Sequence, residues 1–265
     1  MSLKNSGPTI DAWEDHLSPN PIPKALSSIA TSGLKAIVIG GQACVLYGGV
    51  EFSQDLDLLI KIDPESLHRL GVALRDLDAE LVSVPALDPA HLARGHAIHF
   101  RCLRDDVRGL RIDVFAKLPR LEGFDALWER RKHFEFDAIP LNLLSFADLV
   151  RAKKTQRSTD WIHVQQLLEQ SYFYGPELPD FWLRELRTPE LLIEAAKRFP
   201  DEAAVLSTSR PALRAAMEEN KAAILKHLAE ELALEAELDV SYWDPLKKEL
   251  EAFRAAKRLD RNSPS

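Results

Sequence analysis

Apolar positions along the chain fall into two regimes. Up to about residue 143, short apolar runs alternate with polar and glycine-rich breaks, which predicts strands joined by short helices. From Ser145 onward, apolar residues recur at helical spacing, and the chain reads as helical almost throughout. This pattern predicts an α+β class: a mixed β-sheet with flanking helices, followed by an all-helical C-terminal region. It divides the chain into an N-terminal arm (1–23), an α/β domain (24–144) and a helical domain (145–265).

Within the first regime, Ile37, Val38 and Ile39 form a β-branched run that stops at Gly40-Gly41, the pattern of a buried strand entering a tight turn. A helix of about two turns follows over Gln42–Tyr47, before the stop signal Gly48-Gly49. From Phe52 to Ile60, apolar residues interleave with Ser53, Asp55 and Asp57. Strand alternation therefore sends both carboxylates to one face. Asp63 and Pro64 start a helix that runs to about Leu77, Glu80–Val84 is a weak strand, and Pro85–Gly95 is a loop or short helical turn. The runs Ala97–Leu103 and Arg111–Phe115 flank the turn-like segment Arg104–Gly109, a hairpin whose second strand carries Asp113. His96 and His99 are placed on the first strand of that hairpin with structural roles. Phe124–Lys132 reads as a short helix or irregular edge, and Phe134–Ile139 as a late strand ended by Pro140.

The N-terminal arm is polar and rich in proline, with a short helix around Trp13, and Lys24–Thr31 forms the first full helix. In the second regime Ser145 starts a helix through Lys153. A second helix over Asp160–Gln170 carries Trp161, Val164, Leu167 and Leu168 on one stripe. Ser171–Pro179 reads as a connection, and Phe181–Phe199, Pro211–Leu238 and Pro245–Leu259 as three further helices whose alanine-leucine stripes pack within a bundle. Arg258–Ser265 is expected to fray.

Two carboxylates side by side repel, and each raises the other's pKa unless a cation lies between them. Hard divalent cations such as magnesium take carboxylate oxygens and leave positions open for phosphate. The adjacent glycine pair offers backbone amides that no side chain covers. This combination of Gly40, Gly41, Asp55 and Asp57 resembles the nucleotidyltransferase superfamily with the polymerase-β-like fold, in particular its minimal and abortive-infection toxin-type members. The resemblance covers roughly residues 34–168. It implies Asp113 as the third carboxylate and two magnesium ions shared by Asp55, Asp57 and Asp113. It also implies nucleotide contacts from Gly40, Gly41, Ser53 and Lys153. Where many of those relatives have an arginine shortly before the Asp-x-Asp pair, this chain has Glu51.

The net charge of −7 argues against a general nucleic-acid binder. The charge is uneven, however: residues 94–157 carry an excess of Lys and Arg while both flanks are acidic, so a local positive field lies near the aspartates. No window is apolar enough for a membrane span and no signal-peptide core is evident, which predicts a cytoplasmic protein. The two cysteines, Cys44 and Cys102, read as reduced core residues. The resemblance implies transfer of a nucleoside monophosphate from a nucleoside triphosphate to a hydroxyl on RNA or protein, with an antitoxin-like partner. Two alternatives stay open at this point: modification of an antibiotic or other small molecule, and a domain of the same fold that binds nucleotide or partner without turnover.

Overall fold

The computed structural model describes residues 20–50 and 52–262. The expected N-terminal arm with its helix around Trp13, and the departure at Glu51, lie outside the described residues, as do the last three positions. The first helix, α1 (Pro21–Thr31), begins earlier than Lys24 because Asn20 caps it, its side chain accepting from the Ile22 N–H at 3.0 Å. Then follow β1 (Ala36–Ile39), α2 (Gly40–Leu46), β2 (Asp55–Ile60), α3 (Pro64–Asp76), β3 (Ala79–Leu81), α4 (Pro89–Arg94), β4 (Ile98–Cys102) and β5 (Arg111–Phe115). Next come α5 (Phe124–Glu129), β6 (Lys132–Phe136), β7 (Ile139–Leu143), α6 (Phe146–Ala152) and α7 (Ser158–Tyr174). The chain continues through α8 (Pro179–Glu185), α9 (Pro189–Arg198), α10 (Pro200–Leu206), α11 (Pro211–Met217) and the long α12 (Lys221–Asn262).

The strands form one seven-stranded mixed sheet in the order β3-β4-β5-β2-β1-β7-β6. Its middle is β2, antiparallel to β1 and parallel to β5. Alternation divides the sheet's two faces. Ala36, Val38, Leu56, Leu58, Ile60, Ile112 and Val114 point into a core covered by α1 and α3. Ile37, Ile39 and Leu59 face the other way, into a second core shared with α2, α6 and α7. The helical region has a third core around Trp182, Leu183, Leu192 and Leu213. Cys44 and Cys102 are buried and free, and burial pushes both thiols up to about 11, so they stay protonated core residues.

Several expected boundaries are corrected. Pro140 does not end a strand but lies inside β7, paired with Glu135 across a tight hairpin whose corner, Asp137-Ala138, takes positive φ at both residues (49° and 63°). Its missing N–H is tolerated because β7 joins β1 only through the Val38–Leu143 pair. His96 precedes β4 rather than lying in it. The supposed connection after Gln170 is helical up to Tyr174. Pro179, Pro189, Pro200 and Pro211 each open a short helix at the first turn, where their missing N–H costs nothing. Pro245, expected to start a helix, sits within the 42 residues of α12, and that helix continues beyond Arg258 instead of fraying there. No described helix is long and apolar enough to cross a membrane.

Candidate active site

The second face of the sheet is apolar at one end and acidic at the other. Continuing the row of Leu59 along β2 gives Asp57 and then Asp55, and continuing the row of Phe115 along β5 gives Asp113 and then Arg111. The parallel register pairs Asp57 with Asp113 and Asp55 with Arg111, while antiparallel β4 sets His99 beside Asp113. Because directly paired residues share a face, five polar side chains converge where two hydrophobic layers stop. Asp55 and Asp57 lie on one face as their spacing predicts, and Asp113 joins them.

The turn before α2 makes room for this cluster. Gly40 has a φ of +66°, and a Cβ there would overlap the Asp57 carboxylate; a Cβ on Gly41 would press on the Ser53 hydroxyl. The glycine pair thus first permits the close approach of Asp57 to the β1–α2 turn. Ser53 donates to the backbone carbonyl of Asp55 at 3.3 Å, which braces the entry to β2.

Asp113 is firmly held. Arg111 forms a bidentate pair with it, Nε to Oδ1 at 2.7 Å and Nη2 to Oδ2 at 2.9 Å, and His99 Nδ1 lies 2.8 Å from Oδ1. Arg111 Nη2 also reaches His99 Nδ1 at 2.9 Å, so that nitrogen either donates to Asp113 or accepts from Arg111 according to tautomer. Asp57 is the contrary case. Burial, then the charge of Asp113, push its carboxyl up to about 6, against the opposing pull of Lys153 and the Gly41 amide. Among the described residues, no salt-bridge partner reaches Asp55 or Asp57 within 4 Å.

Lys153 reaches the site from the end of α6. It is buried, and its ammonium donates to Asp160 Oδ1 at 2.8 Å. Asp160 is itself held by Thr155 Oγ1 at 2.6 Å and Arg157 Nε at 2.9 Å. These partners outweigh the burial of Asp160 and draw its pKa below the usual range. Much of the basic segment is neutralised in the same way: Arg104 pairs with Asp76 and Asp106, Arg130 with Glu122 and Asp148, and Lys154 with Glu185.

The carboxylate cluster, Lys153 and Asp160 line one cavity of about 670 Å³, within the range of small-molecule sites. Gly40, Gly41, Ser53, Asp55, Asp57, Asp113 and Lys153, the residues expected from sequence, all border it. His99 and Arg111 border it too, as do Asp239 and Trp243 of α12. His99, expected to be structural, borders the cavity opposite Asp113; that position could have been read by pairing the hairpin outward from its turn. The α12 wall lies more than a hundred residues away along the chain, and no local pattern announces it.

The donor set of Asp55 and Asp57 suits a hard cation: oxygen ligands, half-buried, with no positive side chain bonded to them. Asp113 would join them only against the competing charge of Arg111, which holds both its oxygens. Among the described residues, no group of three or more His, Cys, Asp or Glu side chains is gathered as closely as a metal centre. Asp55 and Asp57 thus offer oxygen donors on one face, and the third carboxylate is held by an arginine.

No family model matches the chain, and no curated protein matches it in sequence. Two solved Helicobacter pylori structures are similar to the chain over most of its length. One is JHP933, 12% identical with a TM-score of 0.39, the match covering 84% of this chain and 95% of that one. The other, described as a putative nucleotidyltransferase, has the same identity and TM-score and covers 84% and 98% of the two chains.

Proposed function

We propose that the chain is a magnesium-dependent nucleotidyltransferase that moves a nucleoside monophosphate from a nucleoside triphosphate to a hydroxyl acceptor, on RNA or on a protein. The observation that carries this reading is the Asp57–Asp113 register pair, with Asp55 beside it, at the glycine turn of one cavity. Asp55 and Asp57 would hold magnesium, with Asp113 as a further ligand. The metal would supply Lewis-acid polarisation of phosphate and a lowered pKa for the acceptor hydroxyl.

The chain's own residues carry the rest. Lys153, fixed in direction by Asp160, and Arg111 offer positive charge to the triphosphate and the departing pyrophosphate. Asp113, hydrogen-bonded to His99, is the group positioned to take the acceptor's proton. Gly40, Gly41 and Ser53 border the same cavity and would meet phosphate oxygens there.

The test is incubation of the full chain with magnesium and nucleoside triphosphates labelled at the α-phosphate, against total RNA and total protein. The expected result is pyrophosphate release with label on one macromolecule, lost in Asp57→Asn. Label on a small molecule would favour the antibiotic-type reaction instead. Nucleotide binding without release would leave a binding domain, a reading favoured by the hold of Arg111 on Asp113. A gene neighbour encoding a small inhibitory protein would support the toxin setting.

A further inference from the structure

The wall of the cavity facing the aspartates comes from α12. Asp239, Trp243, Leu246, Lys247 and Leu250 all border the cavity, and their spacing of four, three, one and three places them on one helical face. That face is pinned to the sheet region along its length. Arg120 pairs with Glu235 at 2.6 Å, the Gln156 N–H donates to Asp239 at 3.0 Å, and Glu249 takes His96 at 2.6 Å and Arg94 at 2.7 Å.

Trp243 is the group on this wall with a fixed direction. Its indole Nε1–H donates to Asp239 Oδ1 at 3.1 Å, and Asp239 is 1% exposed, its other oxygen accepting from the backbone and side-chain amides of Gln156. A buried carboxylate that orients one indole and is bonded to the segment just after Lys153 resembles the support given to binding residues more than incidental packing. Tyr242 packs edge-on against the indole at 5.1 Å. The lining of the cavity thus combines carboxylates, Arg111 and Lys153 with an oriented indole, Leu246 and Leu250.

We infer that Trp243 is the stacking platform for the nucleobase of the substrate nucleotide, with Asp239 as its positioning residue. The inference rests on the nucleotidyltransferase reading and adds to it the part of the chain that holds the base. The triphosphate would be met by the carboxylate-bound metal, Arg111 and Lys153, and the flat, apolar base by the indole, whose π-face accepts any base. Lys247, one turn beyond Trp243 and free of any salt bridge among the described residues, borders the same cavity.

The test is equilibrium binding to the full-length chain with magnesium, using two probes: a non-hydrolysable nucleoside triphosphate and inorganic tripolyphosphate, which has no base. Trp243→Ala is expected to weaken the nucleotide about tenfold to a hundredfold, the scale of one base stacked on an aromatic ring. Tripolyphosphate should bind the variant as it binds the parent, and Trp243→Phe should keep most of the nucleotide affinity. Unchanged nucleotide affinity in Trp243→Ala overturns the inference, and so does an equal loss for both probes, which marks a role in shaping the wall. If the alanine variant does not fold, nucleotide-dependent quenching of tryptophan fluorescence in the parent should be largely missing in Trp243→Phe; equal quenching in both overturns the inference. A parent chain that binds neither probe removes the nucleotidyltransferase reading itself.

Discussion

Two aspartates near the same cavity live under opposite electrostatic regimes. Asp160 is almost wholly buried, yet Lys153, Thr155 and Arg157 surround it and its carboxyl is drawn below the usual range. Asp57 is more accessible, yet burial and the neighbouring Asp113 push it up to about 6. Asp148 belongs with Asp160: burial raises it, but Arg130 at 2.6 Å and Ser145 at 2.6 Å prevail and bring it down. A fold has no structural need to crowd an under-compensated carboxylate against a second one when it can satisfy others so fully nearby. What separates the two sites is whether the balancing charge is supplied by the chain or left to a ligand.

The largest effect is expected where the chain supplies its own balance. Asp160→Asn strands the buried Lys153 ammonium and should cost about 3 to 5 kcal/mol of stability, read as a lower denaturant midpoint with an unchanged slope. A loss below about 1 kcal/mol would show that Lys153 finds another partner and that the two sites are not so different.

Asp57 should behave with the opposite sign. A carboxyl raised in the folded state binds its proton more tightly there than in the unfolded chain. Its contribution therefore falls as pH rises from about 4 to about 6. Asp148 and Asp160, both lowered, contribute fully above about pH 4 and lose that contribution as pH falls through their folded values. Asp57→Asn should then stabilise the metal-free chain by up to about 3 kcal/mol at pH 8, with the gain fading by pH 4. Thermal melts in a chelator across that range check it, and a variant equally stable or less stable at pH 8 contradicts the regime assigned to Asp57.

The acidic end was legible in the sequence because it rests on short-range rules. Strand alternation placed Asp55 and Asp57 together, a glycine pair marked the turn, and a hairpin pattern put Asp113 on a strand, whose place beside β2 was implied only by the family resemblance. What the sequence hid was either long-range or broke a local rule. Pro245 reads as a helix start, since a proline inside a helix removes a hydrogen bond and clashes with the preceding turn. Yet it lies within α12, and cutting there divides the face that carries Trp243 and Leu250. His99 could not be placed while its register was unassigned; it lies opposite Asp113 at the cavity. The basic middle segment suggested a positive field, but charge counts do not reveal pairing, and Arg104, Arg130 and Lys154 serve internal carboxylates.

Arg111 stands between the two regimes, a cation from the chain applied to a carboxylate of the site. Its side chain is 40% exposed but that of Asp113 only 10%, so Arg111→Gln leaves a largely buried carboxylate without its cation and should cost about 1 to 3 kcal/mol. The same change removes the cation that competes with a metal for Asp113. Magnesium binding, followed by calorimetry without nucleotide, should therefore tighten by several-fold to about tenfold, the equivalent of roughly 1 kcal/mol. Nucleotide affinity should move the other way, because a positive group facing the phosphates is lost. If magnesium affinity instead stays level or weakens, Asp113 belongs with Asp160 as a carboxylate balanced by the chain, and Asp55 and Asp57 hold the ion without it.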